Sequence, residues 1–207
     1  MADNASVRDK IRDPARSRRA ILDAAELLFA ERGYEAATMA EIAAAAGLSR
    51  GTPAYFFRSK ERLYRAVLGR AFKETSELIR SADFDTGRFE DATARTIGQY
   101  LDFLAARPSF VRLVVRECLD GGRFLQGLPE HLAAIAEAMR VVGERWPLRS
   151  EIDPRHLLLS AISLCWFPMV ARSLTADLGF NPDSSAFTRE RTKQVVELLL
   201  HGALAGR

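Results

Sequence analysis

Histidine and cysteine are scarce in this chain, three and two among 207 residues. His131, His156 and His201 stand alone, with no partner at metal-ligand spacing. No H-E-x-x-H, G-x-S-x-G or P-loop pattern occurs. That removes the sequence support for zinc hydrolysis, serine-nucleophile catalysis and nucleotide-phosphate binding. A helical enzyme working through scattered residues is left as a remote alternative, and no metal or cofactor is expected. Cys118 and Cys165 lie in apolar surroundings, as small buried side chains do, and two such residues make no disulfide framework. Long apolar runs are missing too. The longest, Leu157 to Ala171, is broken by Ser160, Ser163 and Pro168 and is too short to span a bilayer. Met1 to Asp13 is polar and has no secretory core. The expectation is a cytoplasmic protein in a reducing compartment. Runs of β-branched residues with period-two alternation, internal repeats and low-complexity tracts are also absent, which points to helices.

Charge is present in ordinary amount, 30 Lys and Arg against 27 Asp and Glu, but its placement is uneven. Residues 1–82 carry 15 basic against 11 acidic side chains, a balance of +4; residues 83–207 carry 15 against 16, a balance of −1. A basic segment joined to a near-neutral body suits a polyanion reader with a second module. A chance excess of four charges explains the figure equally well, so charge alone decides nothing.

Helical periodicity and capping signals divide the chain into about nine helices, an all-α fold. Residues 1–13 read as a flexible arm. Pro14 opens a helix carrying Ile21, Leu22, Ala25, Leu28 and Phe29 at helical spacing, ended by Gly33. Thr38 caps a short helix, with Glu41 three residues on. That helix stops at Gly47. Ser49 caps the next, and Ser59 caps a long one from Lys60 to about Ala82. Asp83 to Gly87 form the best domain boundary. Beyond it the pattern predicts helices over 89–106, 110–119 and 129–146. Another runs from 154 to about 178 with a kink at Pro168, and the last from 184 or 185 to about 204. The domains expected are an arm at 1–13, a DNA-binding domain at 14–59, a connecting helix at 60–82 and a second domain at 83–207.

Thr38 to Lys60 carries the chemistry. Ile42, Ala43 and Leu48 are small apolar contacts that let two short helices cross closely, and Gly47 permits the positive φ of a tight turn. The second helix offers Arg50, Gly51, Thr52, Pro53, Tyr55 and Phe56 to a major groove. Arg50 has the fork to bond a guanine edge. Gly51 allows close backbone approach, and the hydroxyls of Thr52 and Tyr55 reach phosphates. Phe56 divides evenly between packing and a thymine methyl, whereas Phe57 belongs to the core. Lys60, at the start of the next helix, adds its charge to that helix's dipole on a phosphate. Arg16, Arg18 and Arg19 are either further phosphate contacts or a solvated face.

These residues resemble the TetR (Tet repressor) family of bacterial transcriptional regulators. The likeness runs through Arg18 to Tyr34, Thr38, Ile42 to Thr52, Tyr55 to Phe57 and Ser59 to Tyr64. It implies three N-terminal helices that bind DNA and a C-terminal helical domain that holds a ligand and a dimer surface. It also implies a palindromic operator read by the dimer, with repression relieved by a small molecule. Thr38 and Ser49 join the expected DNA-side residues. One departure stands out: after Gly51-Thr52 the family commonly has Leu or Ile followed by Tyr, where this chain has Pro53-Ala54.

In the second domain, Phe103, Phe110, Val114, Met139, Trp166 and Met169 are offered as lining for a small apolar or aromatic ligand; core packing is the rival reading. The last two helices carry more apolar residues than one internal face needs. Leu157, Leu158, Ile162, Cys165 and Val170 lie on one, and Val195, Val196, Leu199, Leu200 and Leu204 on the other. A four-helix homodimer contact is the expectation. A DNA-bound regulator that answers to a protein or to DNA alone is the nearer alternative.

Overall fold

A computed structural model of the chain describes residues 13–82 and 88–203; the arm at 1–12, the boundary loop at 83–87 and Leu204 lie outside the described residues. The described residues contain ten α-helices and no strand. They fall into two units. The first comprises residues 13–71 and 112–128, and the second 72–111 and 129 onward.

The first unit begins with α1 (Pro14–Ala36), α2 (Met39–Ala45) and α3 (Thr52–Phe57). Asp13 accepts the Arg16 N–H at 3.0 Å and Pro14 occupies the first turn, where its missing donor costs nothing. Gly33 (φ 82°, ψ 170°) breaks α1 at the residue where the sequence pattern ends it, although one more turn follows to Ala36. Thr38 and Glu41 form the expected capping box. The Thr38 hydroxyl accepts the Glu41 N–H at 3.2 Å, and the Glu41 carboxylate accepts the Thr38 N–H at 3.0 Å. The Thr38 hydroxyl and then the Thr38 N–H donate to the Glu41 carboxylate, and with nearby Arg32 they hold that carboxyl below its ordinary range. Gly47 takes the positive φ its turn requires, 65°.

Next come α4 (Lys60–Arg80), which starts in the first unit and ends in the second, and α6 (Pro108–Leu119), which does the reverse. The sequence pattern assigns all of 83–207 to a second domain; the structure groups 112–128 with the DNA-binding helices instead. The cause is a buried cluster. Phe29, Tyr34, Tyr64 and Phe124 pack ring on ring, with centroids 4.6–6.1 Å apart. The buried Glu117 carboxylate accepts the Tyr64 hydroxyl at 3.3 Å and the Phe124 N–H at 2.5 Å. Arg116 donates to the Glu31 carbonyl at 3.3 Å, at the frayed end of α1.

The second unit adds α5 (Phe89–Ala106), α7 (Pro129–Arg145), α8 (Pro154–Val170), α9 (Arg172–Asp177) and α10 (Ser185–Ala203). α8 packs against α5, α7 and α10, and α5 packs along α10. The single kinked helix expected from 154 to 178 is two helices, separated at Ala171 (φ −92°, ψ 52°). Pro168 has no N–H for the Leu164 carbonyl. The Arg191 guanidinium of α10 bonds that carbonyl instead, from Nε at 3.2 Å and Nη2 at 2.8 Å. The Thr175 hydroxyl lies within reach of the Ala171 carbonyl at 2.9 Å and the Pro168 carbonyl at 3.3 Å.

Candidate nucleic-acid interface

Helix α3 starts later than Ser49 capping would put it. Thr52 is its first residue, Gly51 its N-cap and Pro53 its second position. Proline supplies a preset φ and needs no partner for its nitrogen there, so no intrahelical bond is lost. Ser49 instead pairs its hydroxyl with that of Thr52 at 2.7 Å. This shift rotates the expected reading face. Thr52 and Pro53 turn inward and are buried, Thr52 only 8% exposed. The Thr52 hydroxyl is thus occupied and hidden, contrary to the phosphate role read from sequence.

The outward face holds Arg50, Gly51, Ala54, Tyr55 and Arg58. Tyr55 is 82% exposed, with its ring edge-on to the half-buried Phe56 at 5.3 Å. Phe57 is buried, with the Arg18 guanidinium 5.0 Å above its ring, a cation–π contact that fixes the direction of Arg18. Arg58 closes the helix at φ 65°, its N–H on the Ala54 carbonyl at 2.8 Å. Sequence reasoning passed over Ala54 and Arg58. Their signal was the four-residue step from Arg50; in the structure Ala54 lies within α3, Arg50 two residues before it and Arg58 at its C-cap. Arg16, Arg18 and Arg19 are exposed on α1, and Arg62 is exposed in the first turn of α4, which Ser59 caps by accepting the Arg62 N–H at 3.2 Å.

Lys60 differs most from its expected role. Its ammonium donates to the carbonyls of Tyr34 at 2.9 Å and Glu35 at 3.1 Å, and lies 4.5 Å from the Tyr34 ring centroid. Two of its three protons tie α4 to the C-terminal end of α1, where free carbonyls attract a cation. One donor is left over. Thr38 likewise commits its hydroxyl to the capping box, as a donor to the Glu41 carboxylate at 2.7 Å as well as an acceptor.

A profile of bacterial regulatory proteins of the tetR family matches residues 21–67, the segment that folds into α1–α3 and the start of α4. A Tetracyclin repressor-like C-terminal domain matches residues 90–199, more than half of the chain. The chain belongs to the TetR family. An HTH-type transcriptional repressor of Mycobacterium tuberculosis is 30% identical over 169 residues, covering 82% of this chain and 86% of that protein. The AcnR repressor of Corynebacterium efficiens is 44% identical over 158 residues, 72% of this chain and 79% of that one. The Bacillus subtilis regulator FadR, whose crystal structure holds stearoyl-CoA, superposes with a TM-score of 0.69 at 19% identity, covering 89% of this chain and 98% of that one. At that identity the likeness shows the shared fold. This TetR-family chain is a DNA-binding transcriptional repressor.

In its second unit, four of the residues expected to line a ligand site differ in setting. Phe110 and Met169 are buried, whereas Phe103 and Trp166 are half-buried. Phe110 meets Phe103 at 5.8 Å, Trp166 at 5.9 Å and Phe72 at 5.3 Å, ring centroid to centroid. The Trp166 indole donates to the Tyr100 hydroxyl at 2.6 Å, and burial raises the Tyr100 pKa well above its ordinary value. Met139 is half-buried on α7, and Val114 belongs to the first unit. No helix among the described residues is long and apolar enough to cross a membrane, and no group of three or more metal-ligating side chains is found among them.

The expected dimer residues sort in an unexpected way. Leu157, Cys165, Val195 and Leu199 are buried within the unit, and Leu158, Ile162, Val196 and Leu200 are half-buried. The exposed apolar side chains are Leu159, Phe167 and Val170 on α8, Leu174 and Leu178 at α9, and Leu198 on α10. α8 is apolar on nearly every side, so periodicity alone could not separate its inner from its outer face.

Proposed function

We propose that the protein works in the cytoplasm as a homodimer that reads an inverted-repeat operator with two copies of α3, and that a small apolar or aromatic molecule in the second unit releases it. One observation carries the reading-head assignment: Arg50, Ala54 and Arg58 are exposed at and around α3, beside an 82% exposed Tyr55. None of these three has a side-chain role inside the fold, and Arg50 and Arg58 have no ion-pair partner among the described residues. In this reading Arg50 bonds a guanine edge. Tyr55, Arg16, Arg18, Arg19 and Arg62 meet phosphates, and the third Lys60 proton adds to them. Twofold symmetry sets the two α3 helices about one DNA turn apart, roughly 34 Å or somewhat more.

The outer apolar side chains support the dimer. Leu159, Phe167 and Val170 are exposed on α8, Leu174 on α9 and Leu178 at its end, and Leu198 on α10. Such a set is costly in water and suits a second copy. The ligand assignment is supported by the ring cluster around Phe110 and by two stranded hydroxyls: Ser76 Oγ and Thr93 Oγ1 are buried with no hydrogen-bond partner among the described residues. A ligand oxygen or a water satisfies such groups.

The test is selection of duplex fragments by the purified full chain, followed by mass determination of free and bound protein. An inverted repeat bound by a dimer is expected. A monomer in both states sinks the dimer, and absence of DNA binding at low salt sinks the whole reading.

A further inference from the structure

Gly51 poses a question that the fold does not answer. Its φ of −83° and ψ of −14° are open to any residue. A Cβ built on it meets nothing within 4 Å. At an N-cap glycine ranks below serine, asparagine and aspartate, and here neither backbone conformation nor internal packing requires it. The remaining demand is external: something that approaches the backbone closely. Three residues on, and so on the same face, Ala54 is exposed and presents a single methyl. Arg50 and Arg58 stand four residues to either side of Ala54, and Tyr55 lies beside it.

We propose that Gly51 and Ala54 form a flat seat holding α3 against the floor of the major groove, where the Ala54 methyl reads the C5 methyl of a thymine. This rests on α3 being the groove element. The chemistry is apolar: among base edges in that groove only thymine carries a methyl, and alanine is a suitable partner for it. Arg50 lies four residues away, two before the first residue of α3, and so close to it along the groove. At about 3.4 Å per base pair, the thymine falls within roughly two base pairs of the guanine read by Arg50. The flanking arginines fix register; the methyl contact decides one base. The buried Thr52 and Pro53 leave the centre of the face to Gly51 and Ala54.

The experiment replaces each thymine of the selected half-site, one at a time, with uracil, which lacks only the methyl. Wild-type protein is expected to lose about fourfold in affinity at one position, the worth of one buried methyl group. Ala54→Gly should bind the thymine and uracil forms of that position equally. Because the comparison is a ratio within one variant, any change in its stability cancels. Gly51→Val should lose more than about tenfold on every fragment, in line with a lifted helix, while its thermal midpoint falls by no more than roughly 2–4 °C, the worth of a poorer N-cap. The inference is overturned if no thymine matters to the wild type, if Ala54→Gly keeps the thymine preference, or if Gly51→Val binds normally. If the wild type binds no duplex at all, the proposed function fails first and the two failures are told apart.

Discussion

Arg191 offers a sharp test of how the second unit is built. Pro168 deprives the Leu164 carbonyl of its helical donor, and its ring pushes that carbonyl outward. Arg191 crosses from α10 and supplies two N–H groups in its place, at 3.2 and 2.8 Å. Arg191→Ala removes both bonds and leaves a partly shielded carbonyl without a protein partner. An unsatisfied group of that kind costs about 1–3 kcal/mol. For a chain of this size, each kcal/mol lowers the thermal midpoint by roughly 2–4 °C, so a fall of about 4–8 °C is expected for a central value of ~2 kcal/mol. Calorimetry of the purified protein reads this directly. The decisive arm is a double-mutant cycle. Pro168→Ala restores an N–H at position 168, the carbonyl regains its helical partner, and Arg191 becomes largely dispensable. In the Pro168→Ala background, Arg191→Ala should therefore cost less by at least about 1 kcal/mol. An equal cost in both backgrounds would show that Arg191 acts through something other than the Leu164 carbonyl.

The other expectations concern the reading head and the thiols. Tyr55→Ala should weaken operator binding in a fluorescence-anisotropy titration without moving the thermal midpoint, because the exposed ring supports little of the core; a drop in stability matching the loss in affinity would refute a direct contact. Arg50→Ala should cost about 1–3 kcal/mol in specific binding and relax preference at one base pair, seen by repeating the fragment selection. Lys60→Met should lower both the stability of the reading head and its affinity, since the ammonium bonds two α1 carbonyls; a pure loss of affinity would show that the phosphate is its main partner. Burial pushes the Cys165 thiol up to about 12, whereas Cys118 is exposed. One thiol per native chain should react with an aromatic disulfide near pH 8 and the second only after unfolding. A raised thiol pKa favours the folded state below the ordinary thiol value, and that contribution declines as pH rises from there toward about 12.

Most of the fold could be read from capping and periodicity because those signals are local. Pro14, Pro129 and Pro154 each open a helix through a preset φ, and Thr38 with Glu41 and Ser59 through bonds within one turn, all as the sequence pattern has it. What could not be read depends on distant partners. The Leu164 carbonyl that Pro168 abandons accepts instead from Arg191, a partner 27 residues away. The placement of 112–128 with the reading head needs Glu117 to meet Tyr64, 53 residues away. The site divides in the same way. Exposure of Arg50 and Tyr55 followed from the motif, but the inward turn of Thr52 followed from where Pro53 starts the helix, a shift of only a few residues that rotates every side chain. Position along a helix sets which residues share a face, and a boundary error of that size is enough to exchange reading residues for packing residues.

The same cluster also decides how the reading head is held together. Residues 112–128 belong to the reading head, so the described chain passes between the two units inside α4, inside α6 and just before α7. Two of those crossings lie within uninterrupted helices, which carry displacement along their axes far better than a loop does. At the head's end of α6, Arg116 bonds the α1 carbonyl of Glu31, while Glu117 holds Tyr64 of α4 and the backbone of Phe124. Lys60, at the start of α4, holds the last turn of α1. Both crossing helices thus end on α1, the helix against which α2 and α3 pack. Within the reading-head unit the Lys60 and Arg116 side chains bond backbone carbonyls of α1, while Glu117 ties α4 to α6.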